Sequence, residues 1–209
     1  MTNHSIVSRQ QWLDAHAEHL VKEKQVTHQR EALAAARRDL PWIRVEKDYR
    51  FHDAQASVSL GDLFDGKSQL IIKHFMFGPD WQEGCVGCSF EMDHLQGTLV
   101  HLANHDVSVV AVSRGPFAAL DAFRRRMGWS IRWVSSAASD FNRDFHVSFD
   151  PEDIVDGKVF HNFAWEPSFA RSYRALACSI ATRTGGSITP SPPTGVVPRN
   201  CSAAMCCST

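Results

Sequence analysis

Two cysteines spaced Cys-x-x-Cys, Cys85 and Cys88, sit in the stretch "FMFGPDWQEGCVGCSFEMDHL" (75–95). In a reducing compartment this spacing serves dithiol redox chemistry or metal binding more often than a structural bridge. An apolar run precedes the pair and a helical pattern follows it. Cys85 therefore falls where a strand hands over to a helix N-terminus. Unpaired N–H groups and the positive end of the helix dipole gather there and favour thiolate over thiol. The thiolate is the attacking species in thiol–disulfide exchange. Cys88, one turn further on and more buried, is then the resolving thiol. Gly84 and Gly87 leave room for a substrate backbone or a second sulfur.

Two rival readings of the same pair stand beside this one. The first is a copper or zinc protein using Cys85, Cys88 and a histidine, with His74, His94, His101 and His105 near in sequence. A structural zinc site wants four ligands, and no second Cys-x-x-Cys supplies them. The second is two inert core thiols. Three neighbours could support the chemistry. His74 could transfer protons, although a buried, satisfied histidine is the plainer reading. Trp81 could shield the thiols or touch substrate, or simply pack on its own domain. Glu83 could accept a proton beside Cys85, or be a solvated carboxylate near a helix start. "RRRMGW" (124–129) reads as a helix C-terminus, where cations suit the dipole, with anion binding as the lesser reading.

The elements that must position these residues follow from pattern. Ser8 with Gln11 fits a capping box, opening a helix that runs to about Arg38 and stops at Pro41. It reads as an amphipathic helix packed on the domain or on a second copy of the chain. "WIRVEKDYRF" and "ASVSL" look like short strands. "LIIKHFMF" (70–77) is an apolar run of strand length, as in a central strand covered on both faces. A helix is predicted over 86–103, a buried strand over 107–113 and a helix after Pro116. "IRWVSS" is a further strand, with "FHVSF" and "KVFHNF" as weaker ones. Strand alternating with helix gives an α/β domain with a partly parallel sheet.

Bulk properties exclude several classes. The net charge of −1 over 209 residues offers no basic footprint for nucleic acid. No apolar run approaches the ~18–20 residues that span a bilayer. The N-terminus lacks a signal-peptide pattern, so a cytoplasmic location is expected.

"VSRQQWLDAH", "EALAAARRDLPWIRVEKDYRF", "LGDLFDGKSQLIIKHFMFGPDWQEGCVGCSF", "VSRGPFAAL", "RRRMGWSIRWVSS" and "DFNRDFHVSF" resemble the DUF899 family of bacterial thioredoxin-like proteins, predicted dithiol-disulfide oxidoreductases. The resemblance covers about residues 7–163. It implies a thioredoxin-like fold with a long N-terminal helix and a redox role for Cys85 and Cys88. It implies no substrate. The dithiol reading itself calls for no organic cofactor, a disulfide or peroxide as substrate, and a thiol donor such as thioredoxin or glutathione to close the cycle. The expected organisation is a helical extension (1–40), a thioredoxin-like domain (41–166) and an aberrant tail (167–209), with a homodimer through the N-terminal helix.

The tail departs from everything before it. From Pro167 to Thr209 there is no Asp, Glu or Lys, while Ser, Thr, Pro, Arg and Cys abound. Shifting the reading frame after about residue 166 permits a Leu-Pro-Gly turn, two strands, an Asp-Gly hairpin and a helix. The tail therefore reads as a frameshifted, disordered segment that has lost the C-terminal part of the sheet. The resemblance implies that the lost proline is a cis-proline facing the dithiol. Cys178, Cys201, Cys206 and Cys207 are then accidental rather than a zinc-binding cluster, the rival being a genuine metal-binding tail.

Overall fold

The computed structural model describes residues 4–41, 44–54, 56–161, 164–168 and 178–182. The chain divides into two compact units, Met1–Pro41 and Trp42–Thr209. The first is a single helix, α1 (Arg9–Arg38). Its expected capping box is present: Ser8 Oγ accepts from the Gln11 backbone, and the Gln11 side chain accepts from the Ser8 backbone. Trp12, Leu13, Leu20, Val21, Val26 and Leu33 are exposed along it, and none of its residues is buried.

The second unit is built on a six-stranded mixed sheet. Its strands are β1 (Arg50–Asp53), β2 (Ala56–Ser59), β3 (Gln69–His74), β4 (Val107–Ser113), β5 (Arg132–Ser135) and, separated by a small hairpin, β8 (Cys178–Thr182). The order is β2-β1-β5-β4-β3-β8. β3, β4 and β5 run parallel, while β1 and β8 join antiparallel at either side. The helices between the parallel strands are α2 (Val86–Gln96), α3 (Leu99–Asn104) and α4 (Phe117–Met127). A short α5 (Phe141–Asp144) precedes the hairpin of β6 (Lys158–His161) and β7 (Ala164–Pro167). This is the expected thioredoxin-like α/β fold, with the dithiol at the N-terminus of the helix that follows β3.

Strand alternation divides the core between the two faces. Leu70, Ile72, Val110, Val112 and Val134 pack with Phe51, Phe64 and Phe141 on one side. Ala111 and Trp133 pack with Phe75, Phe123, Cys88 and Met92 on the other. Each fully buried large side chain adds about 1.5–3 kcal/mol relative to exposure.

Several expectations change. β3 ends at His74 rather than Phe77, and Phe75–Phe77 continue as an ordered connection. Phe75 N–H still donates to Val112 O (2.9 Å), and Ser113 Oγ donates to Phe75 O (2.6 Å). The helix predicted over 86–103 breaks at Gly97–Thr98, where Thr98 Oγ1 turns back to Leu95 O. "FHVSF" is not a strand. His146 adopts φ +52°, and the N–H groups of Val147 and Ser148 both donate to Asn142 O, so the segment turns instead of extending.

The tail was expected to leave the sheet with an exposed edge and no further strand. Instead β8 lies within that tail and pairs antiparallel with β3 along Gln69–Lys73. An unpaired edge on a buried strand leaves N–H and C=O groups without partners, and β8 supplies them. Cys201, Cys206 and Cys207, and the stretch where the shifted frame would restore its proline, lie outside the described residues. No cis peptide bond occurs among the described residues. None of the described helices is long and apolar enough to cross a membrane.

Candidate active site

The β3–α2 connection brings Cys85 and Cys88 to one end of the parallel strands. Gly78-Pro79 turns the chain after Phe77, and Trp81 N–H closes the turn on Gly78 O (3.3 Å). Cys85 then occupies the N-cap of α2, its N–H donating to Met76 O (3.1 Å). Its sulfur caps no backbone N–H. Ser89 holds the first turn, donating from both N and Oγ to Cys85 O at 2.9 Å.

The two thiols are not bridged, and their environments differ. Cys85 is half-buried and Cys88 is buried. The Cys85 side chain and the Met76 backbone lie near enough to Cys88 to act on its thiol. Burial pushes Cys88 up to about 11, against the smaller pull of the Met76 backbone and the Lys73 charge. At neutral pH it is a protonated thiol beside an accessible one. The outer attacking sulfur and inner resolving sulfur predicted from spacing are thus adjacent.

The neighbours are distributed differently from expectation. Gly84 does not open space for substrate: a Cβ there would lie 2.8 Å from the Phe75 ring and 3.0 Å from Phe123, so the glycine admits the aromatic core against the loop. Gly87 is the open one, with a Cβ at 87 reaching only Cys85 Sγ, at 4.0 Å. Glu83 is engaged by Arg126 in a two-pronged ion pair on the surface, which holds its carboxyl below the usual range. Proton acceptance from Cys85 is not what this geometry offers. Arg124 and Arg125 are likewise taken up by Asp121, which removes the anion-binding reading of the arginine run. Trp81 packs on Gly78 and is part-exposed. His74 is buried and stacks on Phe141 at 5.5 Å. Burial, with the Lys73 charge second, pushes it down to about 3. It is neutral at physiological pH and does not shuttle protons there.

A buried ion pair escaped the sequence reading. Lys73, in β3, is only 8 % exposed and pairs with Glu91 of α2. A charged residue within the apolar run "LIIKHF" was the available signal, since lysine is rarely buried unless paired. Its charge is one of those acting on Cys88. Also unanticipated is a cavity whose lining includes His74, Met76, Phe77, Trp81, Arg114 and Ser148. The metal reading finds no support in the donor set. Among the described residues no three of His, Cys, Asp and Glu come together in a way that could hold an ion, so Cys85 and Cys88 are not joined by a histidine.

A family profile described as "Bacterial protein of unknown function (DUF899)" matches residues 1–189. The chain belongs to the DUF899 family. The match runs on past about residue 163, where the resemblance read from the sequence stops, and takes in β8. Comparison with curated proteins gives no match. Among solved structures, this DUF899 chain is similar to the bacterioferritin comigratory protein of Xanthomonas campestris, whose structures concern alkyl peroxide reduction. Identity there is 14 %, over 75 % of this chain and 83 % of that one, with a TM-score of 0.46. It is similar to the peroxidoxin BcpB of Mycobacterium tuberculosis, at 14 % identity over 68 % and 76 % of the two chains and a TM-score of 0.46. An uncharacterised thioredoxin-like protein of Porphyromonas gingivalis matches at 19 % identity over 50 % and 68 %, with a TM-score of 0.40.

Proposed function

We propose that this DUF899 protein is a dithiol-disulfide oxidoreductase that reduces a disulfide or peroxide through Cys85 and Cys88. The observation that carries the reading is the placing of a half-buried thiol at the N-cap of α2 and a buried thiol one turn inward. With a disulfide RSSR, the Cys85 thiolate attacks one sulfur, forming Cys85–S–SR and releasing RS⁻. Cys88 then loses its proton and attacks the Cys85 sulfur, releasing the second thiolate and closing a Cys85–Cys88 disulfide. With a hydroperoxide, Cys85 takes one oxygen to become a sulfenic acid and ROH leaves. Cys88 then displaces water to form the same disulfide. A thiol donor such as thioredoxin or glutathione returns two electrons and two protons. The chemistry suits the cytoplasm, where such donors keep thiols reduced.

Burial of Cys88 gives the steps an order. The inner thiol stays protonated until a mixed disulfide forms beside it, so Cys85 attacks first. Lys73 favours the charged form of Cys88 when its turn comes.

The test is turnover of a small disulfide with dithiothreitol as donor. Cys85→Ser should abolish it. Cys88→Ser should stall after the first attack, and mass spectrometry should find one half of the substrate bound at Cys85. Equal turnover in wild type and Cys85→Ser would refute the reading.

A further inference from the structure

We propose that the cavity at the end of β3 and β4 receives the carboxylate of a small amphipathic substrate, with Arg114 as its counter-ion; as a substrate site this rests on the dithiol reading above. The cavity has a volume of about 40 Å³. It lies where β3 and β4 run out: its lining draws on the segment following β3 and on Arg114, the residue after the last of β4.

Among the described arginines of its unit, Arg114 shares only with the exposed Arg44 the lack of a carboxylate partner. Arg124, Arg125, Arg126, Arg132 and Arg143 all have carboxylate partners. Arg114 is half-buried, and among the described residues no hydrogen bond or ion pair engages it. No residue lining the cavity carries a carboxylate. A partly desolvated guanidinium gains most from a planar anion that meets its forked donors.

Two buried polar side chains sit in the same lining. Asn142 is 8 % exposed and Ser148 is 7 % exposed. Asn142 Oδ1 is already committed, accepting from Ser136 Oγ at 2.6 Å, which leaves its amide donors for a ligand. The Ser148 hydroxyl has no side-chain partner among the described residues. One cation and neutral donors, set beside Phe77, Trp81 and Val147, make a site for a single negative charge on an apolar body.

Charge separates carboxylate from phosphate: one guanidinium among neutral donors matches a single negative charge, whereas phosphate carries up to two at neutral pH. Met76 links the cavity to the chemistry, because it lines the cavity and its carbonyl accepts from the Cys85 N–H. The substrate class is therefore a small disulfide or hydroperoxide that carries a carboxylate.

The experiment has a binding arm and a turnover arm. In the first, propionate and inorganic phosphate are titrated separately into Cys85→Ser protein and followed by the indole N–H resonances, with Trp81 assigned by Trp81→Phe. Propionate should shift Trp81 and bind more tightly than phosphate, and Arg114→Met should weaken it by about tenfold or more, as expected for a lost charge-assisted hydrogen bond. In the second, kcat/KM is compared for 3,3′-dithiodipropionate and its diamide. Wild type should prefer the acid by about tenfold, Arg114→Lys should keep part of that preference, and Arg114→Met should bring the ratio to about one. Tighter binding of phosphate, no propionate binding, or an acid preference unchanged in Arg114→Met would overturn the proposal. Arg114-dependent propionate binding without turnover of either disulfide would uphold the site and refute the dithiol reading instead.

Discussion

His74 ties the fold to pH in a way that can be worked out from its surroundings. It is buried against Phe141 and carries a pKa of about 3, lowered first by burial and then by Lys73. Its ordinary value is 6.5. The folded protein therefore holds His74 neutral through a range in which the unfolded chain protonates it. The stability due to this is complete above pH 6.5 and is lost as pH falls from 6.5 toward 3. At pH 4.5 the unfolded state gains RT ln(1 + 10²), about 2.7 kcal/mol, against almost nothing for the folded state. The figure hardly depends on how far below 4.5 the folded value lies. Other carboxylates and histidines also titrate here, so the useful quantity is wild type against His74→Leu, which cannot protonate. In urea unfolding at both pH values, wild type minus variant should fall by about 2.7 kcal/mol between pH 7.5 and pH 4.5. A constant difference, or a His74 ring proton that titrates near 6.5 by NMR in the folded protein, would refute the reasoning.

Other consequences follow from the same contacts. Iodoacetamide at pH 7.5 should label Cys85 well before Cys88, because a buried thiol with a pKa of about 11 is thiolate at only about 3 parts in 10⁴; peptide mapping that finds Cys88 alkylated first would contradict this. Gly84→Ala should cost about 1–3 kcal/mol in urea unfolding, since its Cβ would meet Phe75 at 2.8 Å; an unchanged midpoint would mean that the loop relaxes freely. Replacing Cys178, Cys201, Cys206 and Cys207 together by Ser should leave disulfide reductase kcat/KM and bound zinc or copper unaltered, and loss of either would restore a role for the tail. Rereading the gene around codons 160–172 should find a single-base shift, whereas an intact frame would make the tail a native part of the chain.

The parallel core was legible because its strands are apolar runs separated by amphipathic helices. "LIIKHF" and "VSVVAVS" announced buried strands, and Pro41 and Pro116 marked helix boundaries that the structure keeps. The dithiol was legible for the same reason, since it falls between a strand pattern and a helix pattern. What was hidden depends on side chains meeting across distant segments. Nothing local shows that Glu83 is taken by Arg126, 43 residues on, or that Lys73 meets Glu91 across the β3–α2 connection. Gly84 looks like a catalytic allowance in sequence and proves to be a packing allowance, decided by Phe75 and Phe123. β8 was missed because the tail was read for its composition and in a shifted frame, not for strand pattern in its own residues. Yet "CSIAT" has a β-branched isoleucine and threonine, and β3 had an edge to fill. Arg114 was passed over because it follows a strand whose apolar residues drew the attention, and its lack of a partner emerges only when other arginines are seen paired.

The central claim is that Cys85 and Cys88 exchange electrons with substrate as one dithiol. The direct measurement is tandem mass spectrometry of the protein after one equivalent of a small oxidised disulfide and quenching at low pH. The account predicts a loss of two hydrogens and a cross-linked peptide joining Cys85 to Cys88, with no such species in Cys85→Ser. Two free thiols after full reaction, or a disulfide that joins either cysteine to Cys178 instead, would contradict it.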